Sequence, residues 1–286
     1  MKKILVPIDF SNNSKNALQV AAQIAAQFQA KLEILHVNLA SIYSAPFAEY
    51  ASASGFAAED GQYDDAAAAE LERIKLDLIS QPGFNHLDVS IRVEEGYLHS
   101  SVRNVATEDD VDLVVMGTKG ASGMSEFLVG SNTEKVIRTA PCPVLAVPEQ
   151  VKEFKPKMVL MPSTLKNDQV GAFRTLAGWD KAYDFQVKVL YLNNPSGLAT
   201  DGSAEALKNR FAEAAGLKKT DVIITSGTLF EDNAILVAAD MCNADLIVMA
   251  THQRQGLSHW FFGSITEDTV NHSHIPVLAV PTGWKA

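Results

Sequence analysis

Short apolar runs alternate with helical patterns through the first half of the chain. Between the runs, apolar residues recur at spacings of three and four, as they do from Ala17 to Phe28, which predicts about four amphipathic helices. Strands without a polar face, separated by helices, indicate a parallel sheet covered by helices on both sides. The five runs typical of buried strands are Lys3–Ile8, Lys31–Val37, Val89–Val93, Leu113–Met116 and Val144–Val147.

The whole pattern occurs twice. Val111–Pro148 aligns with Ala244–Pro281 without a gap, and 17 of the 38 aligned residues are identical. Such identity at a fixed offset is the signature of an internal repeat. We therefore predict an α/β fold of two tandem doubly wound parallel five-stranded sheets, with one domain at 1–150 and a second at 151–286.

The two copies differ in length. Their first strands align at an offset of 155 and their last strands at 133, so the first copy has 22 more residues in its middle. The extra length falls in Asn38–Ala69, which is rich in alanine, serine, tyrosine and acidic residues, and we predict a mobile loop there. A polar run at 149–156 that ends in proline predicts the boundary between the copies.

The charge of the chain restricts its partners. The 286 residues carry a net charge of −10, nearly all of it in the first 150, without a basic stripe. This balance argues against nucleic acid and anionic membranes as partners, and any bound polyphosphate must be held by local donors. No apolar run reaches the roughly 20 residues of a membrane helix. The two cysteines lack metal-ligand spacing, so we expect a reducing, cytoplasmic location.

One glycine-rich loop carries candidate chemistry. The fourth strand runs into Gly117-Thr118-Lys119-Gly120-Ala121-Ser122-Gly123, and Gly130-Ser131 then opens a helix. Glycines let backbone N–H groups approach an anion, and a helix N-terminus adds free donors and a favourable dipole. Ser131-x-x-Glu134 also fits a capping box that needs no ligand, and Ser264-x-x-Glu267 repeats it in the second copy. Both interpretations stay open, because one hydroxyl can serve either role.

Other site motifs fit the sequence poorly. It contains neither the G-x-x-x-x-G-K-[ST] of P-loop enzymes nor a G-x-G-x-x-G after a strand, and the G-x-S-x-G nucleophile elbow is absent. His272-x-His274 invites a metal interpretation, but no cysteine or carboxylate completes a ligand set, so we predict no metal site there.

Three features together resemble the universal stress proteins in their tandem, two-domain form. They are the spacing Gly117-x2-Gly120-x9-Gly130-Ser131, the opening ILVPIDFS and the ending PCPVLAVP. The resemblance covers nearly the whole chain and implies an adenine-nucleotide alpha hydrolase-like fold. It also implies that Val144–Val147 pairs antiparallel with Val277–Val280, joining the copies into an internal pseudo-dimer, and it is compatible with a further homodimer.

The resemblance further implies ATP in the first copy, with Mg²⁺ as an optional companion ion. Asp9 would accept hydrogen bonds from the ribose, Met116 would pack near the base, and the loop and helix end would hold the phosphates. The implied contacts are Pro7, Ile8, Asp9, Val37, Met116, Gly117, Thr118, Lys119, Gly120, Gly123, Gly130, Ser131 and Asn132.

The second copy departs from this pattern. Ala250 replaces Gly117, Gln253 replaces Gly120 and Thr164 replaces Asp9. We therefore predict a degenerate second domain that binds a different ligand or none.

For the whole chain we favour a nucleotide-responsive regulatory module of the stress response, read by an unidentified protein partner. A slow ATPase is the alternative, although the loop offers no evident base. An adenylate-transferring enzyme is a third interpretation, for which the sequence has no H-x-G-H histidine pair.

Overall fold

The computed structural model describes residues 1–38, 61–118, 131–165, 169–191, 219–224, 234–251 and 260–285, with a few isolated positions between 206 and 217. The first copy contains β1 Lys3–Pro7, α1 Asn12–Phe28, β2 Lys31–Asn38, α2 Gly61–Ile79, β3 Val89–Glu95, α3 Leu98–Glu108, β4 Leu113–Gly117, α4 Ser131–Thr139 and β5 Val144–Val147. The second contains β6 Met158–Ser163, α5 Val170–Tyr183, β7 Gln186–Tyr191, β8 Thr220–Ile224, α6 Ala234–Met241, β9 Leu246–Thr251, α7 Trp260–His272 and β10 Val277–Pro281.

The described strands form one sheet of ten, in the order β3-β2-β1-β4-β5-β10-β9-β6-β7-β8. Neighbouring strands run parallel except β5 and β10, which pair antiparallel with Leu278 opposite Leu145. The predicted α/β fold and the antiparallel pairing of the two repeated endings are confirmed. The two five-stranded sheets are continuous, because each apolar edge strand finds its backbone partners in the other copy.

Helices cover both faces of this sheet. Side chains of β1 alternate between the faces: Ile4 and Val6 pack in one core cluster and Leu5 in the other. The cluster of Ile4 includes residues of α1, α2 and α5, whereas that of Leu5 includes residues of α3, α4, α6 and α7. Both faces of inner strands such as β1 and β4 are thus buried, which explains why their sequences are apolar without alternation.

The copies also share a helix contact across their boundary. The rings of Phe28 in α1 and Tyr183 in α5 lie 5.9 Å apart at their centroids, and both Trp179 and Phe154 complete the cluster. The side-chain amide of Gln27 donates to the carbonyl of Ala182 at 2.7 Å. Burial raises the pKa of the Tyr183 phenol far above its usual value. The two copies therefore share a core as well as a sheet.

The repeat extends to unusual backbone angles. Among the non-glycine residues that the structure describes, six have a left-handed φ between 49° and 63°. They fall into three pairs at equivalent positions of the two copies, which are Phe10 with Leu165, Gln29 with Asp184, and Asp110 with Asn243.

One prediction falls mostly outside the described residues, and another is wrong. The range Asn38–Ala69 was predicted to include a mobile loop; α2 begins at Gly61 within it, and residues 39–60 lie outside the described part. The capping box predicted at Ser264 is wrong, since α7 begins at Trp260 and places Ser264 inside the helix. That prediction placed the helix start too late along the chain.

Candidate functional site

The candidate site lies at the carboxyl end of the sheet between β1 and β4. These strands are neighbours, yet the chain leaves β1 toward β2 on one side and reaches β4 and β5 on the other. A parallel sheet opens a crevice where the strand order reverses in this way, and ligands of such folds bind there.

The turn that follows β1 presents a carboxylate at this crevice. Asp9 is exposed, and one of its carboxylate oxygens accepts from the N–H of Ser11 at 3.1 Å. The Ser11 hydroxyl then caps α1 by accepting from the N–H of Ser14 at 3.2 Å. Between them, Phe10 adopts a left-handed φ of 63°, which costs a bulky residue roughly 1–3 kcal/mol. The structure around the turn therefore holds the backbone beside Asp9 in a strained conformation.

Two aromatic residues at this turn were missed by the sequence analysis. The Phe10 and His36 rings stack with centroids 4.5 Å apart, and Nδ1 of His36 lies 2.8 Å from the carbonyl oxygen of Ile8. His36 thus contacts the residues on both sides of Asp9, Ile8 and Phe10. The sequence pattern does not predict this contact, because the parallel pairing of β1 with β2 brings together two residues that are 26 positions apart.

The end of β4 meets the first turns of two helices. The Thr133 hydroxyl of α4 donates to the carbonyl oxygen of Gly117 at 2.9 Å, which fixes the start of α4 against β4. A Cβ added to Gly117 would lie 2.9 Å from the carbonyl oxygen of Asn13 in α1. Packing against α1 is thus sufficient to require a glycine at 117.

The predicted contacts lie in different environments. Val37 and Met116 belong to the face covered by α3 and α4, where Met116 is 5% exposed. Ile8 is buried on the opposite face, and its N–H already donates to the carbonyl of Leu35 at 2.7 Å.

The other predicted contacts are strand, helix or loop residues. Thr118 is buried and its N–H donates to the carbonyl of Val147, whereas Asn132 is exposed in the first turn of α4. Pro7 ends β1 and Ser131 begins α4. Lys119, Gly120, Gly123 and Gly130 lie outside the described residues.

The second copy fills the equivalent turn with its own hydrogen bonds. Ser163, fully buried at the end of β6, donates its hydroxyl to Oε1 of Gln169 at 2.6 Å and accepts from the N–H of Leu165 at 2.9 Å. Thr164, the counterpart of Asp9, has a buried hydroxyl that meets no partner within the described ranges. Within this turn the Ser163 hydroxyl is thus used for folding, whereas the Thr164 hydroxyl is left unsatisfied.

An arginine links the last helix of the first copy, α4, with the last helix of the second, α7. Arg138 of α4 donates to Glu134 of its own helix and to Glu267 of α7, and Glu134 and Glu267 are equivalent in the repeat. The hydrogen bond with Glu267 is the main cause that raises the pKa of Arg138. One cation thus serves the matched carboxylates of both copies.

The histidines and cysteines of the described part have ordinary surroundings. Nε2 of His274 lies 3.4 Å from an Asp240 carboxylate oxygen, and Nδ1 of His272 lies 3.3 Å from one of Asp268. Burial raises the pKa of the Cys142 thiol to about 12, which keeps it protonated and unreactive. Among the helices that the structure describes, none is long and apolar enough to cross a membrane.

Comparison with known proteins identifies the family. The model of the universal stress protein family matches residues 1–148 and 173–281, so the chain belongs to that family. Universal stress protein YxiE of Bacillus subtilis is 30% identical over 149 residues, which are 51% of this chain and 97% of that protein.

Two solved structures resemble the whole chain in fold. A universal stress protein from Archaeoglobus fulgidus has a TM-score of 0.74 at 18% identity, with 98% of each chain covered. A protein of Pseudomonas aeruginosa PAO1 has a TM-score of 0.62 at 14% identity, covering 99% of this chain and 93% of its own. These likenesses concern the tandem fold.

Proposed function

We propose that the first copy binds ATP, with or without Mg²⁺, and that the protein acts as a nucleotide-responsive regulatory module. The observation that carries the proposal is the meeting of three elements at the switch in strand order. Asp9 lies exposed after β1, Gly117 ends β4, and the Thr133 hydroxyl holds the first turn of α4 against Gly117. Family membership and the glycine-rich sequence that follows β4 support the same site.

The chemistry of these groups suits a nucleotide. A carboxylate is a natural acceptor for ribose hydroxyls, and the free N–H groups at the start of α4 suit a phosphate. Asp9 also offers a hard oxygen ligand of the kind that Mg²⁺ prefers. In the second copy a threonine replaces the carboxylate and the Ser163 hydroxyl bonds within the turn, which favours one nucleotide per chain.

Titration calorimetry with Mg-ATP tests the proposal, with the two copies as controls for each other. We expect one site per chain, and we expect Asp9→Thr to weaken it at least about tenfold because charge-assisted hydrogen bonds are lost. Thr164→Asp, the reverse change in the second copy, leaves the affinity unchanged.

Likewise Gly120→Gln abolishes stabilisation of the fold by ATP, whereas Ala250→Gly changes that stabilisation little. Absence of heat and of any thermal shift at millimolar Mg-ATP would refute ATP binding.

A further inference from the structure

The ten-stranded sheet ends at β3 in an edge that a second copy of the chain can extend. We propose that β3 pairs antiparallel with the β3 of a second chain, about a twofold axis at Val93, and so joins two chains into a homodimer. Among the described strands, β3 is hydrogen-bonded to β2 alone. The pairing uses no residue of the proposed nucleotide site, so it is independent of that proposal.

The backbone of β3 directs a regular row of hydrogen-bonding groups out of the sheet. The N–H of Leu32 donates to the carbonyl of Asp88 at 2.9 Å, and the N–H of Gly96 donates to the carbonyl of Asn38 at 3.0 Å. In a parallel ladder, successive residues of a strand direct their backbone groups alternately to the two sides, so the even-numbered residues from 88 to 96 face β2. The residues whose N–H and C=O groups point outward are Val89, Ile91, Val93 and Glu95. Such a row is a template for another extended chain.

The strand β3 lacks the features that usually protect an edge. Natural edge strands are kept short, or are interrupted by proline, lysine or a bulge. β3 is seven residues long, contains neither proline nor lysine, and none of its residues has a left-handed φ. Ile91 and Val93 pack against the core cluster of Ile4, which holds the strand in its place. The opposite edge of the sheet, β8, has only five residues. β3 is thus the longer edge and the one that offers more backbone groups for pairing.

The charges of β3 select one antiparallel register. An axis at Val93 makes this residue a hydrogen-bonded pair with its own copy, and it places each Arg92 opposite Glu94 of the partner subunit. An axis one residue earlier would set two copies of Arg92 against each other, and one residue later two copies of Glu94. An axis at Ile91 would place Glu94 opposite Asp88. Of these registers, only the one centred on Val93 matches opposite charges across the interface.

The side chain of Arg92 has one nitrogen available for such a cross-strand pair. Its Nε donates to Glu33 at 2.9 Å and its Nη2 donates to Asp109 at 2.6 Å. Its Nη1 lies 3.6 Å from Glu94 of the same strand, which is too long for a hydrogen bond. The side chains of Arg92 and Glu94 are 30% and 38% exposed. A carboxylate on a partner strand can therefore bond to Nη1 while Glu33 and Asp109 keep the guanidinium oriented.

The edge at the other end of the sheet lacks this complementarity. By the register of the repeat, Ile223 of β8 takes the position of Arg92, and Ile224 takes that of Val93. β8 has no basic residue, so two β8 strands have no ion pair that would fix a register. The N–H of Ile224 nevertheless points out of the sheet, as that of Val93 does, which makes Ile224 a matched control position.

Sedimentation equilibrium of the nucleotide-free protein tests the proposal. The paired strands would form about six backbone hydrogen bonds over a small interface, so we expect a reversible dimer that forms as the protein concentration rises. Val93→Pro removes the two central hydrogen bonds without touching the bonds to β2, and it should weaken the dimer at least about tenfold. Ile224→Pro makes the same change on the other edge and should leave the dimer affinity unchanged.

Charge reversal tests the register separately from the backbone. Glu94→Arg would set two arginines opposite each other at both cross-strand positions, and it should weaken the dimer at least about fivefold although the chain becomes less negative. Glu149→Arg makes the same change at an exposed residue outside β3, and it should leave the affinity unchanged or raise it slightly. Melting followed by circular dichroism checks that each variant is folded.

Three results would overturn the proposal. The first is a wild-type chain that stays monomeric at its highest soluble concentration. The second is an Ile224→Pro variant that weakens the dimer as strongly as Val93→Pro, because the pairing would then involve β8. The third is a folded Val93→Pro or Glu94→Arg variant that dimerises as well as the wild type.

Discussion

The turn after β1 and the turn after β6 share a left-handed residue at the same position and differ in their chemistry. Each places a bulky residue, Phe10 or Leu165, in the left-handed region at the third position after the strand's proline. In the first copy the turn presents the exposed carboxylate of Asp9, whereas in the second a buried hydroxyl of Ser163 bonds within the turn. The comparison shows that the repeat preserves the left-handed residue of the turn, while the side chains beside it differ in what they offer a ligand.

The segments that follow the last strand of each copy show the same principle in packing. In the first copy the side-chain amide of Asn16 donates to the carbonyl of Val151 at 2.8 Å. The equivalent of Asn16 is Gly171, and there a Cβ would lie 2.7 Å from the carbonyl oxygen of Trp284, the equivalent of Val151. A hydrogen bond and a close backbone approach thus hold the same two elements together.

The largest effect is expected from truncating the equivalent core residues Leu18 and Phe173. Both are buried, so Phe173→Ala should cost about 3–5 kcal/mol of unfolding free energy and Leu18→Ala about 2–5. Because β5–β10 pairing and the aromatic cluster join the copies, each substitution should shift one common transition. Urea unfolding followed by circular dichroism and by tryptophan fluorescence measures this.

Fluorescence makes the test selective, since all three tryptophans belong to the second copy. If the copies unfold as one unit, Leu18→Ala in the first copy lowers the midpoint seen by the tryptophans of the second. An unchanged fluorescence midpoint, beside a lowered circular dichroism midpoint, would mean that the copies unfold separately.

A charge cluster on the first copy's sheet has no equivalent in the second. Nζ of Lys3 lies 2.8 Å from the buried Glu33 and 2.7 Å from Asp109, and Arg92 contacts both carboxylates. Lys3→Met introduces the residue of the second copy, Met158, and should cost about 2–3 kcal/mol at pH 7 because charged hydrogen bonds are lost. Urea midpoints measure the loss; Lys31→Met, which removes an exposed pair, should cost less than about 0.5 kcal/mol.

The same substitution predicts a pH effect with a definite sign. The hydrogen bond from Lys3 is the main cause that lowers the pKa of Asp109, so the unfolded chain binds the proton more tightly than the folded one. This contribution to stability is present above the unfolded pKa of about 3.9 and is lost as the pH falls through the lower folded value. Lys3→Met should therefore reduce the acid destabilisation below about pH 4, and an unchanged acid limb would contradict the assignment.

The sequence predicted the architecture well, because burial determines periodicity. Strand bounds agree to within two residues, and the family resemblance implied the pairing of β5 with β10. Asp112 and Asp245, identical in the repeat, were overlooked although each accepts from two backbone N–H groups at the start of the neighbouring strand. Their identity at equivalent positions was an available signal.

The polar contacts of the candidate site were not predictable in the same way. The stacking of Phe10 on His36 and the bond from Thr133 to Gly117 depend on strand register and helix placement. Neither contact produces a periodic pattern in the sequence. The site's residues were therefore predictable as types near glycines and strand ends, while their mutual geometry required the fold.

A smaller effect is expected from Arg138→Asn, which introduces the residue of the second copy at this position, Asn271. The change leaves Glu134 and Glu267 without their shared guanidinium, so the two carboxylates face each other. We expect a loss of about 1–1.5 kcal/mol, reduced by the partial exposure of the cluster. The urea midpoint should recover in part when Glu267→Gln is added, and absence of recovery would show that the carboxylates do not interact.

The smallest effects concern the three pairs of left-handed residues. Gln29 and Asp184 end α1 and α5, and their N–H groups donate to the carbonyls of Ala25 and Asp180. Glycine removes the strain of a left-handed Cβ but gives the unfolded chain more freedom, so Gln29→Gly and Asp184→Gly should each add only about 0.5 kcal/mol. Phe10→Gly should instead lose about 1 kcal/mol, because the ring that stacks on His36 is removed with the strain. Thermal unfolding of the three variants separates the cases: a stabilising Phe10→Gly would show that the ring contact does not offset the strained turn beside Asp9.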